Sequence, residues 1–224
     1  ATVHFPIWHQ EIEDILVLKN NKGTEDNRVR KLDYSIQLSE LFYKRFISSG
    51  NITLFSPHDT PGLYDAFGTD KFDDLYTRYE SDESIPKTVV PAQDLILAML
   101  KERAETGRIY LMNIDHCNTH SSFKDKVNMS NLCQEITLPT DPIQSLQGQG
   151  EIALCILSAI NVGKITKTSE LENLCDLAVR GLEELIDYQE YPVKAAEDST
   201  IARRSLGIGY ICLLYTSPSP RDIG

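Results

Sequence analysis

No apolar run among the 224 residues approaches the roughly 20 that a membrane-spanning helix needs, which excludes such a helix. The start, Ala1-Thr-Val-His-Phe-Pro6, lacks the basic segment and apolar core of a secretory signal, so neither secretion nor a membrane location is expected. Positive charge is scarce as well: 22 Lys and Arg stand against 33 Asp and Glu, a formal net charge of -11. Nucleic-acid surfaces rely on clustered cations that neutralise phosphates, and the one basic cluster, Arg28, Arg30 and Lys31, sits among acidic neighbours. A nucleic-acid partner is therefore not expected. A small anionic substrate stays open, because backbone N–H groups at a helix N-terminus can hold a phosphate without net charge. Also missing are a nucleophile elbow, a Walker-type phosphate loop, a dinucleotide fingerprint, an internal repeat and a low-complexity linker. The five cysteines, Cys117, Cys133, Cys155, Cys175 and Cys212, match neither zinc-module spacing nor a small secreted disulfide framework. A reducing, cytoplasmic setting fits them best, and there a disulfide is more often catalytic than structural.

What is present is enough for a core: 41% of the residues are hydrophobic. Ile12, Ile15 and Leu16 predict a short amphipathic helix over 12–18, ending near Gly23. Tyr34, Leu38, Leu41 and Phe42 predict a second helix stopped by Gly50, and Asn51 to Phe55 predicts a strand followed by a loop at Pro57, Pro61 and Gly62. Phe72, Leu75, Tyr76 and Tyr79 predict a solvated helix with a buried stripe. Leu95 to Arg103 predicts another, closed by Gly107, with a strand at 108–112 behind it. A last helix carries Leu171, Leu174, Cys175, Ala178, Leu182, Leu185 and Ile186 on one side, with Cys175 read as a small buried hydrophobe. Residues 206–211 look strand-like. Alternating strands and helices point to an α/β fold with a mainly parallel sheet.

The chemistry concentrates in Ser130-Asn-Leu-Cys-Gln-Glu135. Successive strand side chains point to opposite faces, so an extended backbone aims Asn131, Cys133 and Glu135 one way and Leu132, Gln134 and Ile136 the other. An amide, a thiol and a carboxylate would then face one pocket: an orienting group, a sulfur that reacts or gives up a hydrogen atom, and a proton acceptor. Cys155 lies in the apolar run 151–157, read as a strand, and a second thiol could deliver two electrons by disulfide formation. His116-Cys-Asn-Thr-His120 sets two imidazoles at i and i+4 if helical. Without a second ligand pair nearby, structural hydrogen bonding is the reading there, and no metal site is assigned. Trp8-His9 reads as packing at a helix start.

Ser130-Asn-Leu-Cys-Gln-Glu-Ile-Thr-Leu-Pro139, with Gly150-Glu-Ile-Ala-Leu-Cys155, Thr106-Gly-Arg-Ile-Tyr110 and Asp115-His-Cys-Asn-Thr-His120, resembles the large (alpha) subunit of class I ribonucleoside-diphosphate reductases. Asn51 to Asp59, Pro61 to Phe67, Asp187 to Pro192 and Arg203 to Gly209 support the resemblance, which runs from about Phe5 to Ile211. It implies part of a ten-stranded α/β barrel with the catalytic cysteine on a central finger loop, and reduction of ribonucleoside diphosphates to 2′-deoxyribonucleotides. It also implies roles for four residues. Cys133 would carry a thiyl radical, Glu135 would act as general base, Asn131 would hold substrate hydroxyls together with Glu135, and Cys155 would be half of a redox-active disulfide. The partner of Cys155, the tyrosines that relay the radical, the substrate phosphate loop and most ATP and dNTP effector contacts would lie outside residues 1–211. This chain alone is therefore expected to be inactive.

The expected partners are a ribonucleoside diphosphate, a metal-containing beta subunit that supplies the radical, a thioredoxin or glutaredoxin, and a second alpha subunit. No cofactor is expected to bind this stretch directly. Two alternatives stand beside this reading: an adenosylcobalamin-dependent reductase with a similar cysteine and carboxylate, and a non-catalytic barrel homologue with a scaffold or regulatory role. The last residues, 212–224, break into a proline-rich string resembling a translated transposase-type sequencing adapter, and are expected to be a non-native tail outside the 1–211 barrel segment.

Overall fold

A computed structural model describes residues 2–20, 29, 31–145, 147 and 149–212. Most of the tail, and with it the adapter-like string after Cys212, lies outside the described residues. So do Gly23, Arg28 and Arg30. The chain divides into two compact units, Ala1–Pro139 and Thr140–Gly224.

The first unit is built on a parallel sheet of β1 (Thr2–Pro6), β2 (Asp33–Leu38) and β5 (Ile109–Asn113), in the order β1-β2-β5. Tyr34 to Leu38 is thus strand, where the spacing of Tyr34, Leu38, Leu41 and Phe42 predicted helix. Both periods fit these residues, and the alternation of Tyr34, Ile36 and Leu38 with Ser35 and Gln37 prevails because it gives one apolar and one polar face. The helix α2 (Glu40–Ile47) starts only after Ser39, whose hydroxyl accepts the Phe42 N–H at 3.4 Å. Tyr34, Ile36, Leu38 and Ile109 form a core with Ile12, Ile15 and Leu16 of α1 (Ile12–Leu16), Phe42 of α2, and Leu95 and Met99 of α5 (Ala92–Thr106). At five residues α1 is too short to persist on propensity. Burial of its three apolar side chains, each worth about 1.5–3 kcal/mol, holds it. Gly107 ends α5 with φ +66°, a conformation that glycine adopts without strain, and the chain enters β5 two residues later.

A second core gathers Trp8, Phe55, Phe67, Phe72, Tyr76, Met112 and Val127. It joins β3 (Asn51–Phe55), α3 (Leu63–Ala66), α4 (Phe72–Ser81) and α6 (Ile114–Thr119). β3 pairs antiparallel with β4 (Lys87–Pro91), and its other edge is covered at Thr53, whose N–H donates to the Tyr76 hydroxyl while that hydroxyl donates to the Thr53 carbonyl, at 2.8 and 2.7 Å. Arg45 closes the same corner by a two-pronged ion pair with Glu80, which also accepts from the Thr53 hydroxyl.

The second unit has an antiparallel pair, β6 (Asp141–Ser145) with β7 (Gln149–Glu151), and a parallel pair, β8 (Ile156–Asn161) with β9 (Leu206–Ile211). Parallel strands need a long crossover, which α7 (Glu170–Tyr188) and α8 (Lys194–Arg203) supply. Ile156, Leu182 and Ile186 are its core. The predicted α7 stripe is only partly buried: Leu182 and Ile186 are inside, Cys175 is half-buried and Leu174 and Leu185 are exposed. Cys175 is therefore not the buried hydrophobe expected, because α7 buries only the face over β8 and β9. Arg204 ends α8 in the left-handed region and reaches Glu183 and Asp187 of α7, at 2.5 and 2.9 Å.

The fold is α/β, with parallel strands in both units and antiparallel pairs in both. The described residues form no closed barrel: their largest sheet has three strands, and closure around a filled interior takes about eight. No helix among the described residues is long and apolar enough to cross a membrane.

Candidate active site

The parallel sheet has two covered faces of opposite character. The register pairs His4 with Ser35 and Tyr110, and Pro6 with Gln37 and Met112, so these side chains share the face opposite the Tyr34–Ile36–Leu38 core. That polar face lies under residues 127–134. The loop begins at Val127, which is fully buried and fixed by Asn118: its N–H donates to Asn118 Oδ1 at 2.8 Å and its carbonyl accepts from Asn118 Nδ2 at 3.0 Å. Beyond it, Gln37 Nε2 donates to the Asn128 carbonyl at 2.6 Å, His4 Nε2 to the Ser130 carbonyl at 3.1 Å, and the Thr2 hydroxyl to the Leu132 carbonyl at 2.6 Å.

The predicted alternation of Asn131, Cys133 and Glu135 on one face of an extended strand does not occur. A turn closes at this point: the Gln134 N–H donates to the Asn131 carbonyl at 3.2 Å and Gln134 takes φ +66°. A left-handed residue reverses the chain locally and breaks the period of two. Asn131 turns onto its own loop, where Oδ1 accepts from the Ile136 N–H at 3.1 Å and the Ser130 hydroxyl at 3.2 Å. Gln134 points inward, its Nε2 donating to the Leu111 carbonyl at 2.6 Å. Cys133 and Glu135, on either side of it, are exposed, and so is Leu132. The loop thus presents a thiol and a carboxylate to solvent around one inward anchor.

Cys155 belongs to the second unit. It is exposed and stands at the end of the irregular stretch 152–155, immediately before β8, rather than inside a strand over 151–157. The strand starts one residue later because Ile156 is the first residue to pair with β9, at Leu206.

His116 and His120 do come together, at the end of α6, with ring centroids 5.6 Å apart and edge to face. His120 Nδ1 donates to the His116 carbonyl at 3.2 Å, the structural hydrogen bonding expected. Among the described residues no three His, Cys, Asp or Glu side chains are grouped to hold a metal ion. Burial pushes the half-buried Cys117 thiol above its usual value, which disfavours a reactive thiolate. Trp8 is buried edge-on against Phe67, and His9 Nδ1 accepts the Glu11 N–H at 3.2 Å just before α1, as expected of packing at a helix start. A pocket of about 430 Å³ beside α6 is lined by both acidic and basic residues, among them Asp70, Asp73, Asp115, Lys124 and Lys126, and none of Asn131, Cys133 and Glu135 lines it.

A family model described as ribonucleotide reductase, barrel domain, matches residues 1–216. The chain belongs to this family. The ribonucleotide reductase named ribonucleoside-diphosphate reductase subunit alpha in Haemophilus influenzae is 57% identical over 221 residues, covering 96% of this chain and 29% of that protein. The ribonucleoside-diphosphate reductase 1 subunit alpha of Escherichia coli is 54% identical over the same coverage, and the subunit alpha of Enterobacteria phage T4 is 42% identical over 217 residues, 93% of this chain and 28% of that protein. The chain therefore spans just under a third of the length of these ribonucleotide reductase subunits.

Of the residues that hold the loop, Asn118 falls within the motif Asp115–His120, whereas Thr2, His4 and Gln37 stand outside every motif that carries the resemblance. Their one trace is the alternation of polar with apolar residues in 2–6 and 33–38, which marks a strand with a polar face and does not say what that face grips.

Proposed function

We propose that the protein to which this stretch belongs reduces ribonucleoside diphosphates to 2′-deoxyribonucleoside diphosphates by a thiyl-radical mechanism, with the chemistry carried on the loop 127–136. The observation that carries this reading is the pairing of an exposed thiol and an exposed carboxylate, Cys133 and Glu135, on a loop whose backbone is tied to a rigid sheet. Reactive groups need this combination of access and fixed position. The names of the relatives supply the substrate class and, through the word alpha, a beta subunit as partner.

In this mechanism the partner subunit supplies the oxidising equivalent that turns the Cys133 thiol into a thiyl radical. Cys133 takes the 3′-hydrogen atom of the ribose, Glu135 takes the 3′-hydroxyl proton, and the 2′-hydroxyl leaves as water with a proton from a thiol of the pair that includes Cys155. Asn131 steadies the substrate hydroxyls. Two electrons then come from that dithiol, whose second hydrogen goes to C2′, leaving a disulfide; Glu135 returns its proton to the 3′-oxygen, and Cys133 returns the hydrogen atom to C3′. A thioredoxin or glutaredoxin reduces the disulfide for the next cycle.

The test uses the full-length alpha subunit with its beta partner. Cys133→Ser abolishes deoxyribonucleotide formation, and Cys155→Ser blocks repeated turnover driven by a dithiol protein. Diphosphate reduction that survives Cys133→Ser overturns the radical assignment, and undiminished multiple turnover in Cys155→Ser overturns the redox role.

A further inference from the structure

We propose that Thr2, His4 and Gln37 are positioning residues that set where the Cys133 thiol and the Glu135 carboxylate stand, by gripping the backbone of their loop at alternate carbonyls; this rests on the assignment of Cys133 and Glu135 made above. The carbonyls gripped are those of Leu132, Ser130 and Asn128. The donors stand in a row. Thr2 and His4 are two apart on β1, and Gln37 is the register partner of Pro6, two further along the same face. Side chains on one face of a strand repeat about every 6.6 Å, and so do alternate carbonyls of an extended segment. Residues 128–132 therefore run against the direction of β1 and in step with it, and each grip fixes the loop along that line.

Two features make the row specific. A carbonyl only accepts, so His4 Nε2 carries the hydrogen, and Nδ1, which is buried with no partner, is left as the unprotonated nitrogen. The imidazole is thus held as one neutral tautomer that donates toward the loop. The grips also end at Leu132, one residue before Cys133, and Gln134 takes over from the other side through the Leu111 carbonyl. Cys133 is bracketed by two anchors to the same sheet, one through the Leu132 carbonyl and one through the Gln134 side chain. A displacement of about 1 Å in a reacting group costs up to about a hundredfold in rate, so loss of one grip reaches the chemistry without touching the substrate.

The experiment compares His4→Leu, which removes the central donor, with His4→Gln, whose amide N–H replaces it. Thr2→Val, nearly isosteric and at a solvent-facing hydrogen bond, is the second site. All are made in the full-length alpha subunit and assayed with its beta partner for kcat and KM with a ribonucleoside diphosphate. The rate of Cys133 alkylation by iodoacetamide is followed in the same samples by peptide mass spectrometry. Expected for His4→Leu and Thr2→Val is a fall of about tenfold or more in kcat, with KM within about twofold and Cys133 alkylation changed by about threefold or more. His4→Gln restores most of both. Wild-type kcat and alkylation in Thr2→Val overturn the proposal even if His4→Leu fails to fold, and so does failure of His4→Gln to recover either quantity. If the wild-type complex does not reduce diphosphates, the reading of the reaction fails while the alkylation rates still decide whether these residues position Cys133.

Discussion

Replacing Asn118 by alanine removes the fixture at the start of the Cys133 loop, and its cost follows from what is left behind. Val127 is fully buried, and both its N–H and its carbonyl are paired with the Asn118 amide, at 2.8 and 3.0 Å. A methyl group in place of that amide strands two part-buried backbone groups, beside the pocket that Asn118 helps to line. A stranded buried group costs about 1–3 kcal/mol, so the pair costs about 3 kcal/mol with partial relaxation. The third bond of Asn118, from Nδ2 to the Ile114 carbonyl at 3.0 Å, lies within the last turn of α6 and adds little. A penalty of about 3 kcal/mol raises the population of the opened loop a little over a hundredfold. Amide hydrogen exchange at Val127, read site by site under native conditions, should accelerate by about that factor, while exchange in β2 stays near wild type. Asn118→Asp sharpens the test. Its carboxylate can still accept the Val127 N–H but now faces the carbonyls of Val127 and Ile114, so it should be at least as damaging at neutral pH and milder in acid, where the protonated form donates. Exchange at Val127 that rises less than about threefold in Asn118→Ala would refute the reasoning.

Three further outcomes are expected. Arg45→Met strands the Glu80 carboxylate, whose side chain is 17% exposed; partial solvent access reduces the usual cost of breaking a buried pair to about 2 kcal/mol, and Arg45→Met with Glu80→Leu should cost less than Arg45→Met alone in urea unfolding. Burial holds His4 and His9 below the ordinary imidazole value of 6.5, against the opposing Ser130 bond and the Glu11 charge. The unfolded chain then takes up protons first, so their contribution to stability is full above pH 6.5 and declines as pH falls below it, and replacing both by Gln should flatten the unfolding midpoint between about pH 5 and 7. Gly150→Ala places a Cβ 2.4 Å from the Pro142 carbonyl oxygen at φ +102°, so it should open the β6–β7 pair, seen as faster amide exchange at 141–151.

Legibility in the sequence followed the strength of the local pattern. The helices over 72–81 and 92–106 and the strands at 51–55, 109–113 and 206–211 stand where apolar spacing and glycine stops put them. The segment 34–38 departs from the helix its spacing predicts because Tyr34 and Leu38 satisfy both the helical and the strand period, and only pairing with 2–6 and 109–113 decides between them. α8 left little trace, since its buried face is Ala195, Ala196, Ser199 and Thr200, residues too small or polar to register as a stripe. At the site, the motif residues were visible as types in order. The geometry was not, because a left-handed Gln134 is invisible in a pattern of polarity, and three of the donors that hold the loop, Thr2, His4 and Gln37, come from residues 90 or more positions away in sequence.

The two-faced strand β2 has a consequence for fidelity. A slip of one residue against β1 would send Ser35 and Gln37 into the apolar core and Tyr34, Ile36 and Leu38 under the loop, an exchange unfavourable at every position at once. Pairing errors of this kind are thereby eliminated by burial alone. The loop, tied to that same strand through Gln37, inherits its placement from that register.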